Sequence, residues 1–381
     1  MNKRLKGIPG FSIDQVADAA GNDPDVLRLE NLDTDLPAPL AAIEATRKAV
    51  GQDKYNSYLP FIGQESIRHA IAQKLNRQTR QFYHANNVVI TSGGTNGMFN
   101  ALLALTDPGE EVILTDPTYA GMIQRVRLAG GIPKLVPFRN VSGEWRLDID
   151  QLRDSVSERT RALFIMNPSM PSGAVLNQDE WQQIADLCRT HELWLIYNAA
   201  MERILFDGRK VIHPAALYRM FERTIIVGSI SKEYRMIGWR LGWLAAPAGI
   251  IDDLARVSIY NAVTPSGIAQ AAALEALKES SEDYTTVLQT WEARRNKVNE
   301  QLADYPMISA AGGWSQLVDM SQLDIDGPTA SRLLLRQGKV AATPMTHWGA
   351  IHSNQYIRLV FSNESVERLS TLGDRFRKTF G

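Results

Sequence analysis

The chain has 381 residues, 44% of them hydrophobic, with 41 Lys and Arg against 42 Asp and Glu. That length accommodates a large domain plus a smaller one, and charges that nearly cancel give no footprint for nucleic acid or an anionic membrane surface. A single cysteine, Cys188, excludes an internal disulfide and a Cys-rich metal site; there is no apolar run of membrane-spanning length and no signal-peptide core, so the expectation is a soluble, cytoplasmic protein.

Residues 1–40 are mixed, with Pro37 and Pro39 forming an extended elbow. A helical pattern runs from Leu40 to about Val50, the segment Tyr55–Gly63 is turn-rich, and a second helix starts at Ser66. Short apolar or β-branched runs then alternate with helical stretches. The runs are NVVITS, EVILTD, IPKLVPF, ALFIMN, LWLIYN and TIIVGS; the helical stretches include Asn96–Leu105, Tyr119–Ala129, Asp179–His191 and His213–Phe221. This alternation predicts an α/β fold with a mainly parallel sheet covered on both faces. After Pro247 the pattern changes: residues 249–304 read as long helices broken around Thr264–Gly267, and from about Met307 short strands (SQLVDM, YIRLVF) mix with helices as a smaller α+β domain.

Parallel α/β sheets bind ligands at the carboxyl ends of their strands, and the residues with chemical potential fall there. Ser92-Gly93-Gly94-Thr95 follows the run NVVIT and opens a helix, where free amides and a partial positive charge favour an anion and glycine lets a phosphate approach. Gly228-Ser229-Ile230-Ser231-Lys232 ends the run TIIV, with Gly238-Trp239-Arg240 close behind. A lysine at a strand end, flanked by hydroxyls and followed by an arginine, can form a Schiff base beside a bound phosphate. The six histidines, including His347 and His352 in the loop ATPMTHWGAIHSNQ, show no metal-ligand spacing, so no metal is expected.

SISK followed by GWRLGW resembles the cofactor-lysine motif of the fold-type I, class I/II aminotransferases. YNSYLPFIGQESIRHAIA, ITSGGTNGMFNALLAL, TDPTYAGM, NPSMPSGAVL, YNAAMERILFDG and YIRLVFSNE resemble further motifs of that family, in the family's order. The resemblance implies the fold-type I architecture of pyridoxal 5′-phosphate (PLP) transferases. Residues 1–45 would be an N-terminal arm and part of the small domain, 46–270 the large PLP-binding domain, and 271–381 the small α+β domain. It implies PLP as cofactor and transfer of an amino group between an α-amino acid and a 2-oxo acid. Lys232 would form the Schiff base and move the proton. Gly94, Thr95, Ser229, Ser231 and Arg240 would hold the phosphate, Tyr119 would lie on the ring face, and Asn198 would face the ring nitrogen. Arg358 would bind the substrate α-carboxylate. Tyr58 would reach the phosphate of a neighbouring subunit, implying a homodimer with shared sites, without nucleic-acid or membrane partners. His347 and Trp348 would lie near the substrate.

Three residues depart from the family pattern around the ring. Asn198 stands where an aspartate is usual, Met170 where an asparagine is usual, and Met201 where a tyrosine is usual. The two methionines are expected to make the wall soft and apolar. Leu32 takes the place of a usual glycine in the N-terminal lid. These departures keep two alternatives open: another PLP reaction (elimination, decarboxylation or oxidation), or a PLP-binding protein of low activity.

Overall fold

A computed structural model describes residues 5, 8–10, 12–350 and 352–381. The six apolar runs form strands of an eight-stranded sheet: β1 (Val88–Thr91), β2 (Glu111–Asp116), β3 (Ile132–Val141), β4 (Glu144–Leu147), β5 (Thr160–Met166), β6 (Trp194–Asn198), β7 (Thr224–Ser229) and β8 (Gly242–Ala245). Their order is β1-β8-β7-β6-β5-β2-β3-β4. The centre is parallel, from β7 through β6, β5 and β2 to β3. β8 is antiparallel to both β1 and β7, and β4 is antiparallel to β3.

Alternation along the strands feeds two cores, one on each face. Leu195 and Tyr197 join Trp181 and Trp243 on one side, while Ile196 joins Met98, Ile123 and Phe164 on the other. Both faces are therefore apolar, which explains why these strands read as continuous hydrophobic runs.

Three local features differ from the sequence reading. The stretch His213–Phe221 is not a helix but two 3₁₀ turns, Pro214–Ala216 and Phe221–Arg223. Leu217 is extended at ψ 155° and Arg219 is left-handed at φ 57°, so the helical ladder stops after its first turn. The third apolar run extends to Val141 and returns as β4 through Ser142 (φ 54°) and Gly143 (φ 81°), the left-handed pair that a two-residue hairpin requires. β8 is a strand that begins on the last two residues of the motif GWRLGW. It passes so close to its neighbours that a Cβ on Gly228 would lie 1.9 Å from the Trp243 ring, and one on Gly242 would lie 2.5 Å from the Gly94 amide nitrogen.

A second sheet of three antiparallel strands is formed by β9 (Ser315–Asp319), β10 (Thr343–Pro344) and β11 (Tyr356–Val360), with β11 central. Its core includes Trp291, Trp314, Phe361 and Phe376. Leu27 and Leu29 from the N-terminal part belong to the same core, and Leu27–Arg28 pairs in parallel with Val340–Ala341. The chain thus visits this region before it enters the large sheet.

Candidate active site

The carboxyl ends of β6 and β7 open into a cavity of about 300 Å³. Nine of the ten residues singled out from the sequence line it: Gly94, Thr95, Tyr119, Asn198, Ser229, Ser231, Lys232, Arg240 and Arg358. The tenth, Tyr58, stands 80% exposed in the turn-rich segment, outside the cavity.

One end of the cavity is an anion cradle. Gly93, at φ 81°, precedes the helix Gly94–Leu105, whose first amides are free of helical partners. A Cβ at Gly93 would lie 2.7 Å from Arg240 Nη2, so only glycine lets the guanidinium close over this turn. Arg240 is itself left-handed at φ 53°, and its Nη1 donates to the Ile237 carbonyl at 2.7 Å and to Ser231 Oγ at 3.4 Å. Ser229 Oγ accepts from the Ser231 amide at 3.1 Å. Amides, two hydroxyls and a guanidinium converge here, a donor set matched to a phosphate.

Lys232 Nζ donates to the Leu32 carbonyl at 2.6 Å and lies 5.0 Å from the centre of the Trp314 ring. Its enclosed position pushes the amine down to about 7, with the Asp33 carboxylate opposing and the Arg240 and Arg358 cations assisting. The lysine is therefore substantially neutral, and nucleophilic, near pH 7. An unfolded lysine titrates near 10.5. Between the two values the unfolded chain binds the extra proton, so this group's penalty on the folded state fades as pH rises from about 7 to about 10.5. The stability of the cofactor-free protein relative to its Lys232→Met variant should therefore increase across that window, as read by urea unfolding at each pH.

Arg358, on β11, is fully buried. Nη2 donates to the Glu30 carbonyl and to Thr343 Oγ1 at 3.2 Å, Nη1 lies 3.9 Å from Met170 Sδ, and Nε has no partner. The guanidinium lies 4.8 Å from the centre of the Trp348 ring. Burial pushes it down to about 9, against the Glu30 and Tyr119 side chains, which leaves it charged at neutral pH. A buried, charged guanidinium with an unsatisfied N–H beside a cavity is an incomplete carboxylate receptor.

Tyr119 precedes the helix Ala120–Leu128, with its ring 6.2 Å from that of Trp348. Arg125 folds back to 5.3 Å from the Tyr119 ring. Gly121 makes this possible, because a Cβ there would lie 2.3 Å from Arg125 Nη1 and 2.9 Å from the tyrosine ring. The aromatic is thus wedged in place. Trp348 lines the same cavity, whereas His347 lines a neighbouring one that shares Thr95, Arg240 and Trp348; His352 lies in a separate cavity with Tyr356. Met170 is part of the wall, but Met201 is not among the lining residues: it is 1% exposed within the core of the three-stranded sheet. The expectation that both methionines face the ring is corrected to Met170 alone, with Met98 and Met166 beside it.

Sequence reasoning missed the residues that brace the site from outside. Glu202, four residues after Asn198, and Glu233, next to Lys232, are each 1% exposed. Lys74 Nζ lies 3.3 Å from Glu202 Oε1 and 3.8 Å from Glu233 Oε2, and Arg203 Nε donates to Glu233 Oε2 at 2.7 Å. Burial opposes the charge on Glu202, but the Lys74 cation, followed by His213, holds its carboxyl below the usual range. The ion cluster ties the loop after β6 to the segment carrying Lys232. Each member is an ordinary charged residue in sequence, so no local signal marked it.

A cradle for phosphate, an enclosed lysine of lowered basicity and a buried arginine lining one cavity fit pyridoxal phosphate: the glycines leave room for the phosphate, and the lysine amine stands beside it to bond an aldehyde. Comparison with known proteins agrees. Residues 25–376 match the family model described as aminotransferase class I and II. The chain is 32% identical over 383 residues to the aspartate aminotransferase of Pyrococcus abyssi, covering 99% of this chain and 97% of that protein. It is 29% identical to an aromatic-amino-acid aminotransferase of Thermococcus litoralis, again covering 99% and 97%. Among solved structures, the aspartate aminotransferase of Thermus thermophilus with maleate superimposes with a TM-score of 0.92 at 27% identity, over 100% of this chain and 99% of that one. The chain belongs to the class I and II aminotransferases. It has the fold-type I architecture and is a PLP-dependent enzyme that transfers an amino group between an amino acid and a 2-oxo acid. Among the described residues no helix is long and apolar enough to cross a membrane.

Proposed function

We propose that the described cavity is the site of this transamination, with its work divided among this chain's own residues. The observation that carries the reading is Lys232: an amine lowered to about 7, enclosed between the anion cradle and Arg358. Gly94, Thr95, Ser229, Ser231 and Arg240 would hold the phosphate, Tyr119 would cover a ring face, and Asn198 would meet the ring nitrogen. Bound there, pyridoxal phosphate supplies a conjugated ring that takes up the electron pair of the substrate Cα–H bond. Lys232 would hold the cofactor covalently through its amine and, once free, would carry the proton away from the substrate Cα. Arg358 grips the α-carboxylate with its two-pronged donor face, and the two anchors together align the Cα–H bond.

The expected readout is spectral. Purified protein given PLP should show the absorbance of lysine-bound cofactor, and a suitable amino acid should convert it to the pyridoxamine form. Release of ammonia or peroxide without that conversion would replace transamination with elimination or oxidation.

The division into an arm and part of the small domain (1–45), a large domain (46–270) and a small domain (271–381) is supported by the strand pairing of Leu27–Arg28 with Val340–Ala341. A homodimer with shared sites is supported by Tyr58, which is exposed and lies outside its own chain's cavity, free to reach a neighbouring subunit. A cytoplasmic setting is supported by the lone cysteine, Cys188, which is buried and free.

A further inference from the structure

Asn198 ends β6 and is 4% exposed. Two neighbours orient its amide: Oδ1 accepts from the Ala200 N–H at 3.1 Å, and Nδ2 lies 3.4 Å from Met98 Sδ. Turning the amide over would set its NH₂ against the Ala200 N–H and its oxygen against the sulfur lone pairs. The backbone therefore decides which end is which. A thioether is a weak acceptor, so Nδ2 retains donor capacity for a group in the cavity.

The rest of the cavity divides by chemistry. Thr95, Ser229, Ser231 and Arg240 belong to the cradle, while Lys232 and Arg358 take the carbonyl carbon and the substrate carboxylate. Beside Asn198 the lining holds Met98, Met166 and Ala200, whose side chains offer no strong hydrogen-bonding group, so the Asn198 amide is the polar group among them. On a pyridine aldehyde of this kind the ring nitrogen lies across the ring from the carbon that Lys232 bonds. The lining carries two guanidinium cations, Arg240 and Arg358, and no Asp or Glu among the described residues. A further positive charge, on a protonated ring, would have no carboxylate of the lining beside it and would point its own N–H at the donor end of Asn198.

We propose that Asn198 donates from Nδ2 to the ring nitrogen and holds it unprotonated at neutral pH, so that this aminotransferase works with a neutral pyridine. The inference rests on the cofactor site proposed above. A neutral ring withdraws electrons from Cα less strongly than a pyridinium, so Lys232 must carry more of the proton transfer. Negative charge then has little lifetime on Cα, which disfavours the eliminations a long-lived carbanion permits.

The test uses the holoenzyme reconstituted with cofactor labelled with ¹⁵N in the ring. Wild-type protein should show the ¹⁵N chemical shift of a neutral pyridine at pH 7, and Asn198→Asp should move it to the pyridinium range. Aspartate has the same shape and can still accept from the Ala200 N–H, and a thermal melt confirms that the variant is folded. In the same variant, exchange of the substrate Cα hydrogen should quicken by about tenfold, as a charged hydrogen-bond partner replaces a neutral one. A pyridinium signal in the wild type, or an unchanged signal in the variant, overturns the proposal and leaves the site intact. If neither protein forms lysine-bound cofactor, the site assignment fails and takes the proposal with it.

Discussion

Lys232→Ala is expected to abolish the absorbance of lysine-bound cofactor and to lower transamination by roughly 10⁴-fold or more, since both the covalent link and the proton carrier are lost. The cradle of Gly94, Thr95, Ser229 and Arg240 does not depend on the lysine, so the variant should still bind PLP, only without the covalent bond. Half-reactions with an amino acid would then stall with the Cα hydrogen in place. Small primary amines added to the buffer should restore part of the rate, because they supply the missing base to a site that is otherwise assembled. Wild-type rates in the alanine variant, measured by conversion to the pyridoxamine form, would remove Lys232 from the reaction.

The second large effect is expected at Arg358. Arg358→Ala should raise KM for amino acids and lower kcat/KM by about 10²–10³-fold, the usual loss when one partner of a buried charge pair is removed. Arg358→Lys should recover little. A compact ammonium cannot serve the Glu30 carbonyl, Thr343 Oγ1 and a carboxylate together, as the guanidinium fork can. The cofactor absorbance should survive both substitutions, since Arg358 lies apart from the cradle. Amines without a carboxylate should lose far less than amino acids, and an equal loss for both classes would mean that Arg358 shapes the cavity without reading the carboxylate.

The parallel core of the sheet was legible because strands buried on both faces must be apolar at every position. β8 was not, because four residues beginning at the end of GWRLGW give no periodicity and its antiparallel direction is set by β1 and β7 on either side. His213–Phe221 misled for the opposite reason: its apolar spacing resembles a helix, but the extended Leu217 and the left-handed Arg219 break the ladder. At the site, Lys232, Gly94 and Arg240 could be read locally, since each follows a strand and sits among glycine or hydroxyl neighbours. Glu30, Thr343 and Trp314 could not, because tertiary packing brings them in from distant segments. Met201 shows the limit of carrying a position over from relatives: the residue is where the motif puts it, but its side chain turns into the neighbouring core.

The stretch Glu30–Leu32 receives a hydrogen bond from each of the two principal side chains. Its Glu30 carbonyl holds Arg358 and, two residues on, its Leu32 carbonyl holds the Lys232 amine. This short span is anchored through Leu27–Arg28 to the strand pair at Val340–Ala341, away from the large sheet that supplies the lysine. It is a mechanical linkage between recognition and chemistry. Arg358 and the Lys232 amine thus share one short piece of backbone, so a substitution that moves Glu30–Leu32 should disturb carboxylate recognition and the nucleophile together.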